Sequence, residues 1–124
     1  MQLYKKQTSF EDARGKITDI LENEPIEYVT MITSKEGAVR GNHYHKESWQ
    51  FTYLISGEIK CAIQELDKEV EIEIMQPGDL LVSPPNEIHT LMALKDSEFM
   101  VFTRGPRGGK NYEQDTFRIG KSLL

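Results

Sequence analysis

An all-β barrel or sandwich is the fold predicted for this chain, on three observations. Short β-rich runs succeed one another along most of its length. Turn signals rich in Gly, Pro and Asn divide them. The chain's three histidines fall on or beside those runs rather than on a helical pattern. Turn-divided short strands are the mark of packed or closed sheets.

The elements follow in order. Residues 9–14 admit a short helix or turn, with Ser9 and Asp12 as caps. Residues 27–33 (EYVTMIT) are β-rich. Residues 51–55 (FTYLI) and 58–64 (EIKCAIQ) flank Ser56-Gly57, a two-residue hairpin turn by its composition. Residues 71–74 (EIEI) alternate polar and apolar, as a half-exposed strand does. A turn at Gln76-Pro77-Gly78-Asp79 leads to a strand over 80–83, which Pro84-Pro85-Asn86 ends. Strands are expected over 89–94 and 99–103. Residues 104–109 (RGPRGG) read as loop, with Arg104, Arg107 and Lys110 in a solvated tail, and 112–119 (YEQDTFRI) return as a strand or pack over the barrel.

The hairpin carries a register expectation. Leu54 would oppose Ile59, Thr52 would oppose Cys61, and Gln50 would oppose Ile63, all six on one largely apolar, inward face. The other face holds Phe51, Tyr53 and Ile55, too much apolar surface to stay wet. Either the N-terminal segment or a second subunit covers it, and a homodimer is the expectation. Trp49 and Phe51 are expected to pack rather than line a pocket.

At 124 residues with 38% hydrophobic and 28% charged side chains, the chain suits one globular domain. The expected division is a barrel core over about 27–103, with 1–26 and 104–124 packing on it. A net charge of -5 argues against a broad nucleic-acid face but leaves room for an anionic small molecule held by a few local cations. Cys61 is the one cysteine, so no disulfide forms within the chain and a reducing cytoplasm is expected. Its neighbours Ile59, Ala62 and Ile63 predict a packed core thiol. No signal-peptide pattern opens the sequence, and no apolar run is long enough for a bilayer, so no membrane partner is expected.

The chemistry concentrates in Gly37-Ala-Val-Arg-Gly-Asn-His43-Tyr-His45, then Gln50 and Gly57. His43 and His45 are two apart, so on a strand both rings project to one side. Such a pair grips one divalent ion or acts jointly on one substrate, and His89 supplies a third imidazole after the Pro84-Pro85 break. Gln50 ligates through a neutral carbonyl. Glu47 is its rival if the strand runs straight past His45, whereas a kink over 46–49 hands the place to Gln50.

These segments resemble the two motifs of the cupin family. The first motif is Gly, five residues, His-x-His, three or four residues, Glu, six residues, Gly; Gly37, His43, His45 and Gly57 match, and Gln50 stands where Glu is expected. In the second, Gly78, Pro84 and His89 match, while Asn86 replaces Gly and Ala93 replaces Asn. The resemblance spans about residues 27–102 and implies a double-stranded β-helix, or jelly-roll barrel. It also implies a metal set of His43, His45, Gln50 and His89. The Arg40-Gly-Asn-His-Tyr-His-Lys46 run further resembles cupins acting on nucleotide-linked deoxysugars, as do Phe10-Glu-Asp-Ala-Arg-Gly15 and the tail 112–118. In the deoxysugar epimerases of that kind the Arg meets a nucleotide phosphate and the His is the base. The sugar-nucleotide ketoisomerases carry Gln at the Gln50 position and work without metal.

The resulting expectation is a small metal-binding cupin acting on a carbohydrate or nucleotide-linked keto-sugar as isomerase or epimerase. Its divalent transition metal (zinc, nickel, iron or manganese) would come with no organic cofactor. His43 would be the base with His45 assisting, and Arg40, Lys46 and Gln50 would hold substrate. The alternatives are a metal-free ketoisomerase using His43 and His45, and a cupin that binds a small ligand without catalysis.

Overall fold

The computed structural model describes residues 1–105 and 113–124. Among these residues twelve strands form: β1 (Gln2–Lys5), β2 (Phe10–Asp12), β3 (Gly15–Ile17), β4 (Tyr28–Ser34), β5 (Val39–Tyr44), β6 (Trp49–Ser56), β7 (Ile59–Gln64), β8 (Glu71–Met75), β9 (Asp79–Ser83), β10 (Ile88–Ala93), β11 (Ser97–Arg104) and β12 (Phe117–Arg118). Two five-stranded antiparallel sheets result, ordered β1-β9-β6-β11-β4 and β12-β5-β10-β7-β8, with β2 and β3 as a separate two-stranded ribbon. This is the expected double-stranded β-helix. Among the described residues no helix is long and apolar enough to cross a membrane.

The pleat dictates what faces inward. In β11, Ser97, Phe99, Val101 and Thr103 are buried and the residues between them are not, the period of two that one covered face requires. Phe99 and Val101 join Leu54, Ile59, Cys61, Ile63, Met75, Leu81 and Leu91 between the sheets. Each such large apolar side chain contributes about 1.5–3 kcal/mol. β9 is buried at every position because both its faces are covered: Leu81 points into the barrel, and Leu80 and Val82 meet an outer cluster with Phe51. Cys61 is fully buried, and burial pushes its thiol up to about 11, so it is the protonated core thiol expected.

Several expectations are corrected. Residues 9–14 form no helix; Phe10–Asp12 pairs with Gly15–Ile17 as a hairpin. Ser56-Gly57 is not a hairpin turn. β6 pairs with β9 and β11 in one sheet, and β7 with β8 and β10 in the other. Gly57, at φ +94°, turns a corner between sheets, where a Cβ would lie 2.6 Å from the Asp96 carbonyl oxygen and 2.7 Å from the Ser97 Cα. The inward face was nonetheless read correctly, since Gln50, Thr52, Leu54, Ile59, Cys61 and Ile63 are all buried. On the outer face Ile20, Leu21 and Ile26 of the same chain pack beside Phe51, Tyr53 and Trp49, so the N-terminal segment supplies that cover. β1 and β12 are sheet members although they lie outside 27–103. Arg104 ends β11, ion-paired with Glu24 at 3.0 Å and 4.8 Å from the Trp49 ring, rather than in a solvated tail. Arg107 and Lys110 lie outside the described residues.

Candidate functional site

The site depends on a bulge. His89 of β10 pairs with His43 of β5, but Thr90 pairs with Gly41, so Asn42 is an extra residue in the ladder. Asn42 takes φ +56°, a conformation Asn tolerates, and its side-chain oxygen accepts from Thr90 Oγ1 at 2.6 Å and from the Leu123 amide at 3.0 Å. In a regular strand Arg40 and His43, three apart, would face opposite ways. The bulge re-aims the chain so that both line one cavity. Gly41 permits the close approach: at φ +98°, its missing Cβ would lie 2.5 Å from the His89 carbonyl oxygen.

The three imidazoles converge. Ring centroids are 4.7 Å apart for His43 and His89, 4.9 Å for His43 and His45, and 5.4 Å for His45 and His89. The cavity between the sheets measures about 360 Å³. His43, Gln50, Thr52, Ser83 and His89 supply its polar lining, Ile32, Leu81, Leu91, Phe99 and Val101 its apolar wall, and Arg40 and Arg118 also line it. His45 is buried beside this lining rather than part of it. His89 is buried, and its pKa lies well below the ordinary histidine value because burial, then the neighbouring His43 and His45, disfavour a charge.

β5 ends at Tyr44 and β6 begins at Trp49, so the chain kinks over 46–48. The kink puts Gln50 in the cavity and Glu47 in a separate surface cleft. Lys46 lies in that cleft too, its ammonium 4.4 Å from the Phe117 ring centroid. Tyr44 stacks on Phe117 at 5.3 Å, and Tyr53 packs in the outer cluster, so neither lines the cavity. Arg40 donates through Nε to Ser34 Oγ at 2.7 Å and through Nη2 to the Thr33 carbonyl at 2.9 Å.

Three residues escaped the sequence reading. Arg118 reaches the cavity because β12 pairs with β5, and it meets Glu113 through both terminal nitrogens at 3.2 Å. Asp115 holds the kink. Its carboxylate accepts from the amides of Lys46, Glu47 and Ser48 at 3.0–3.2 Å, and its carbonyl oxygen lies 2.9 Å from His45 Nδ1. The tail resemblance was the one available signal for both, without indicating a role for either.

Glu87, the third, is 3% exposed, and its Oε1 has no hydrogen-bond partner among the described residues. Burial raises its pKa to about 7. Folding therefore favours the protonated acid, and this contribution is full below the unfolded value of 4.5 and is lost as pH rises toward 7. Between about pH 5 and pH 8 the wild type is expected to lose on the order of 3 kcal/mol relative to Glu87→Gln, read by denaturant melts. Identical pH profiles for the two proteins would refute this.

Comparison with known proteins places the fold. A 3,4-ketoisomerase from Helicobacter canadensis superposes with a TM-score of 0.79 at 19% identity, over 95% of this chain and 90% of that one. A variant of QdtA, the 3,4-ketoisomerase of Thermoanaerobacterium thermosaccharolyticum, in complex with TDP-4-keto-6-deoxyglucose, gives 0.77 at 22% identity, over 95% and 86%. The dTDP-4-dehydrorhamnose 3,5-epimerase of Sulfolobus tokodaii gives 0.71 at 20%, over 86% and 70%. No curated protein matches the sequence.

These neighbours correct the expected divalent transition metal, because they are ketoisomerases and epimerases that need none. One ligand atom from each of His43, His45 and His89 lies within 4.8 Å of the others, but the donor set lacks charge. Gln50 is neutral, and among the described residues no Asp or Glu lines the cavity to offset a dication. Residues 10–117 match the polysaccharide biosynthesis C-terminal domain family, and on that match over most of its length the chain, a cupin barrel in fold, belongs to that family.

Proposed function

We propose that the protein is a metal-free isomerase of a nucleotide-linked 4-keto-6-deoxysugar, moving the carbonyl between C4 and C3. One observation carries this reading: a cavity lined by imidazoles and a neutral amide, with no carboxylate among its described lining residues, that also reaches two arginines. His43, the base, takes the proton from C3 to give an enediolate across C3 and C4. The hydroxyl proton passes from O3 to O4, and protonated His43, after exchange with solvent, delivers a proton to C4, so one face of the sugar suffices. Gln50 and the hydroxyls of Thr52 and Ser83 hydrogen-bond the enediolate oxygens. Arg40 and Arg118 meet the diphosphate as guanidinium cations, in place of their present partners Ser34, Thr33 and Glu113. Epimerisation instead returns a proton to the opposite face and needs an acid there. No tyrosine among the described residues lines the cavity to serve as that acid, which favours isomerisation.

The working form in this reading is a homodimer. The β2–β3 ribbon exposes its cross-strand pair Phe10 and Ile17 by 51% and 58%, and the edge strand β4 exposes Val29 and Met31 by 59% and 55%. An isolated two-strand ribbon is marginal in water, and a second copy would cover it.

The test is incubation of purified protein with TDP-4-keto-6-deoxyglucose in D2O with and without a chelator, followed by NMR, with the mass in solution measured on the same sample. The 3-keto isomer carrying deuterium at C4, an unchanged rate with chelator, and twice the chain mass are expected. Exchange at C3 and C5 without carbonyl migration would mean an epimerase, absence of turnover would remove the enzyme reading, and a monomeric mass would remove the dimer.

A further inference from the structure

We propose that Asp115 is the positioning residue of this site: its carboxylate clamps the turn after His45, and its own carbonyl thereby holds His45 in the Nδ1–H tautomer. The inference rests on the isomerase reading for its kinetic consequence, but not for its geometry.

The sequence sets the problem. A strand that ends at Tyr44 and restarts at Trp49 leaves the amides of Lys46, Glu47 and Ser48 without ladder partners. Amides withdrawn from water need acceptors, and an unmet one costs stability. Asp115, distant in sequence, meets all three. Oδ1 accepts from Lys46 at 3.0 Å and Glu47 at 3.1 Å, while Oδ2 accepts from Glu47 at 3.2 Å and Ser48 at 3.0 Å. Burial of this carboxyl opposes its ionisation, but the bonds from Ser48, Lys46 and Glu47 outweigh that and hold its pKa below the usual carboxylate value. The clamp is therefore an anion at any working pH.

The second contact is what gives the clamp a chemical consequence. The Asp115 carbonyl lies 2.9 Å from His45 Nδ1, and a carbonyl only accepts. Nδ1 must then carry the proton, and Nε2 holds the ring's lone pair. A neutral imidazole has one nitrogen of each kind, so fixing one fixes the other. His45 sits with its ring 4.9 Å from His43, the base proposed above, and 5.4 Å from His89. With its lone pair fixed on Nε2, His45 supports a positive charge developing in the trio when His43 takes the substrate proton. In the other tautomer it would present an N–H there, and its Nδ1 lone pair would face the Asp115 carbonyl, acceptor against acceptor.

Asp115→Asn tests this. Both carboxylate oxygens are in use, and an amide replaces one of them with a donor group that would face donors. The histidine ring nitrogens are read by long-range proton–nitrogen correlation on labelled protein; the chain has three histidines, and His43→Asn and His45→Asn assign them. In the wild type the His45 proton is expected on Nδ1, and in Asp115→Asn it is shared with Nε2. On TDP-4-keto-6-deoxyglucose, kcat is expected to fall about 10- to 100-fold with KM little changed. Because the effect acts through His45, Asp115→Asn should add little loss in a His45→Asn background, whereas a clamp with a purely structural role would lower kcat equally in both.

A wild-type His45 protonated on Nε2 overturns the proposal, as do fully additive losses. Should Asp115→Asn fail to fold, the wild-type tautomer still decides. A tautomer shift in a protein that turns over no keto-sugar would sustain the positioning role while the isomerase reading fell.

Discussion

Replacing His43 with asparagine is expected to lower kcat on the keto-sugar about 1,000-fold, within the range general acid–base catalysis supplies. Asparagine keeps much of the ring's width and one polar contact but cannot accept a proton near neutral pH. His43 is the choice because it lines the cavity, whereas His45 is buried beside it and His89 is held neutral by burial. TDP binding should survive, because in the proposed complex the diphosphate is met by Arg40 and Arg118 rather than by the ring. Turnover numbers together with TDP titration on the same preparation separate the two effects. Turnover at the wild-type rate would move the base elsewhere, and loss of TDP binding along with turnover would mean that the ring is structural.

Gly41→Ala is expected to be as damaging, through the backbone rather than through chemistry. Two costs combine. A side chain at φ +98° is strained wherever it occurs, and here its Cβ would stand 2.5 Å from the His89 carbonyl oxygen and 3.2 Å from the Thr90 Cα. Neither neighbour is a flexible side-chain end, so β5 and β10 must part. A loss of roughly 2–5 kcal/mol follows from strain plus overpacking. Protein that still folds should also lose activity, because the shift separates His43 from His89 and a displacement of about 1 Å can cost about 100-fold. Gly78→Ala is the control. Gly78 has a similar φ of +94°, but nothing lies within 4 Å of its missing Cβ, so only the conformational cost of about 1–2 kcal/mol applies. Chemical denaturation of both variants reads the difference. Equal losses would mean that the contact with β10 is not what demands glycine at 41.

How far the site could be read in advance depended on the range of the interaction involved. The pairing of His43 and His45 was legible because His-x-His is a local feature and the pleat gives both rings one face, whereas His89 joined them through the resemblance of its segment to the second cupin motif. The sequence leaves Gln50 and Glu47 as rivals, and the kink over 46–48 decides for Gln50. That kink is held by Asp115, some 70 residues away. The register of the 51–55 and 58–64 runs failed for a related reason. Composition marked Ser56-Gly57 as a turn, and so it is, but Asp96 and Ser97 from another turn crowd Gly57, and the chain crosses between sheets instead of folding back. Side-chain alternation survives that change, so the buried face was right while every cross-strand partner was wrong. The metal was inferred from ligand types and from the cupin motifs, and the metal-free ketoisomerases and epimerases that share the fold overturn it.

The sequence by itself determined the all-β class, the inward face of β6 and β7, the packed thiol of Cys61 and the histidine trio. Apart from the place of His89, which the cupin motifs supplied, these follow from periodicity and spacing within a few residues, which the pleat reads directly. Only the tertiary structure decided that Asn42 bulges, that Arg40 therefore shares a cavity with His43, and that Asp115 and Arg118 return to the site on the tail. Those outcomes depend on which strands become neighbours. Strand neighbours are chosen by packing summed over the whole barrel, and no local run of residues encodes that sum.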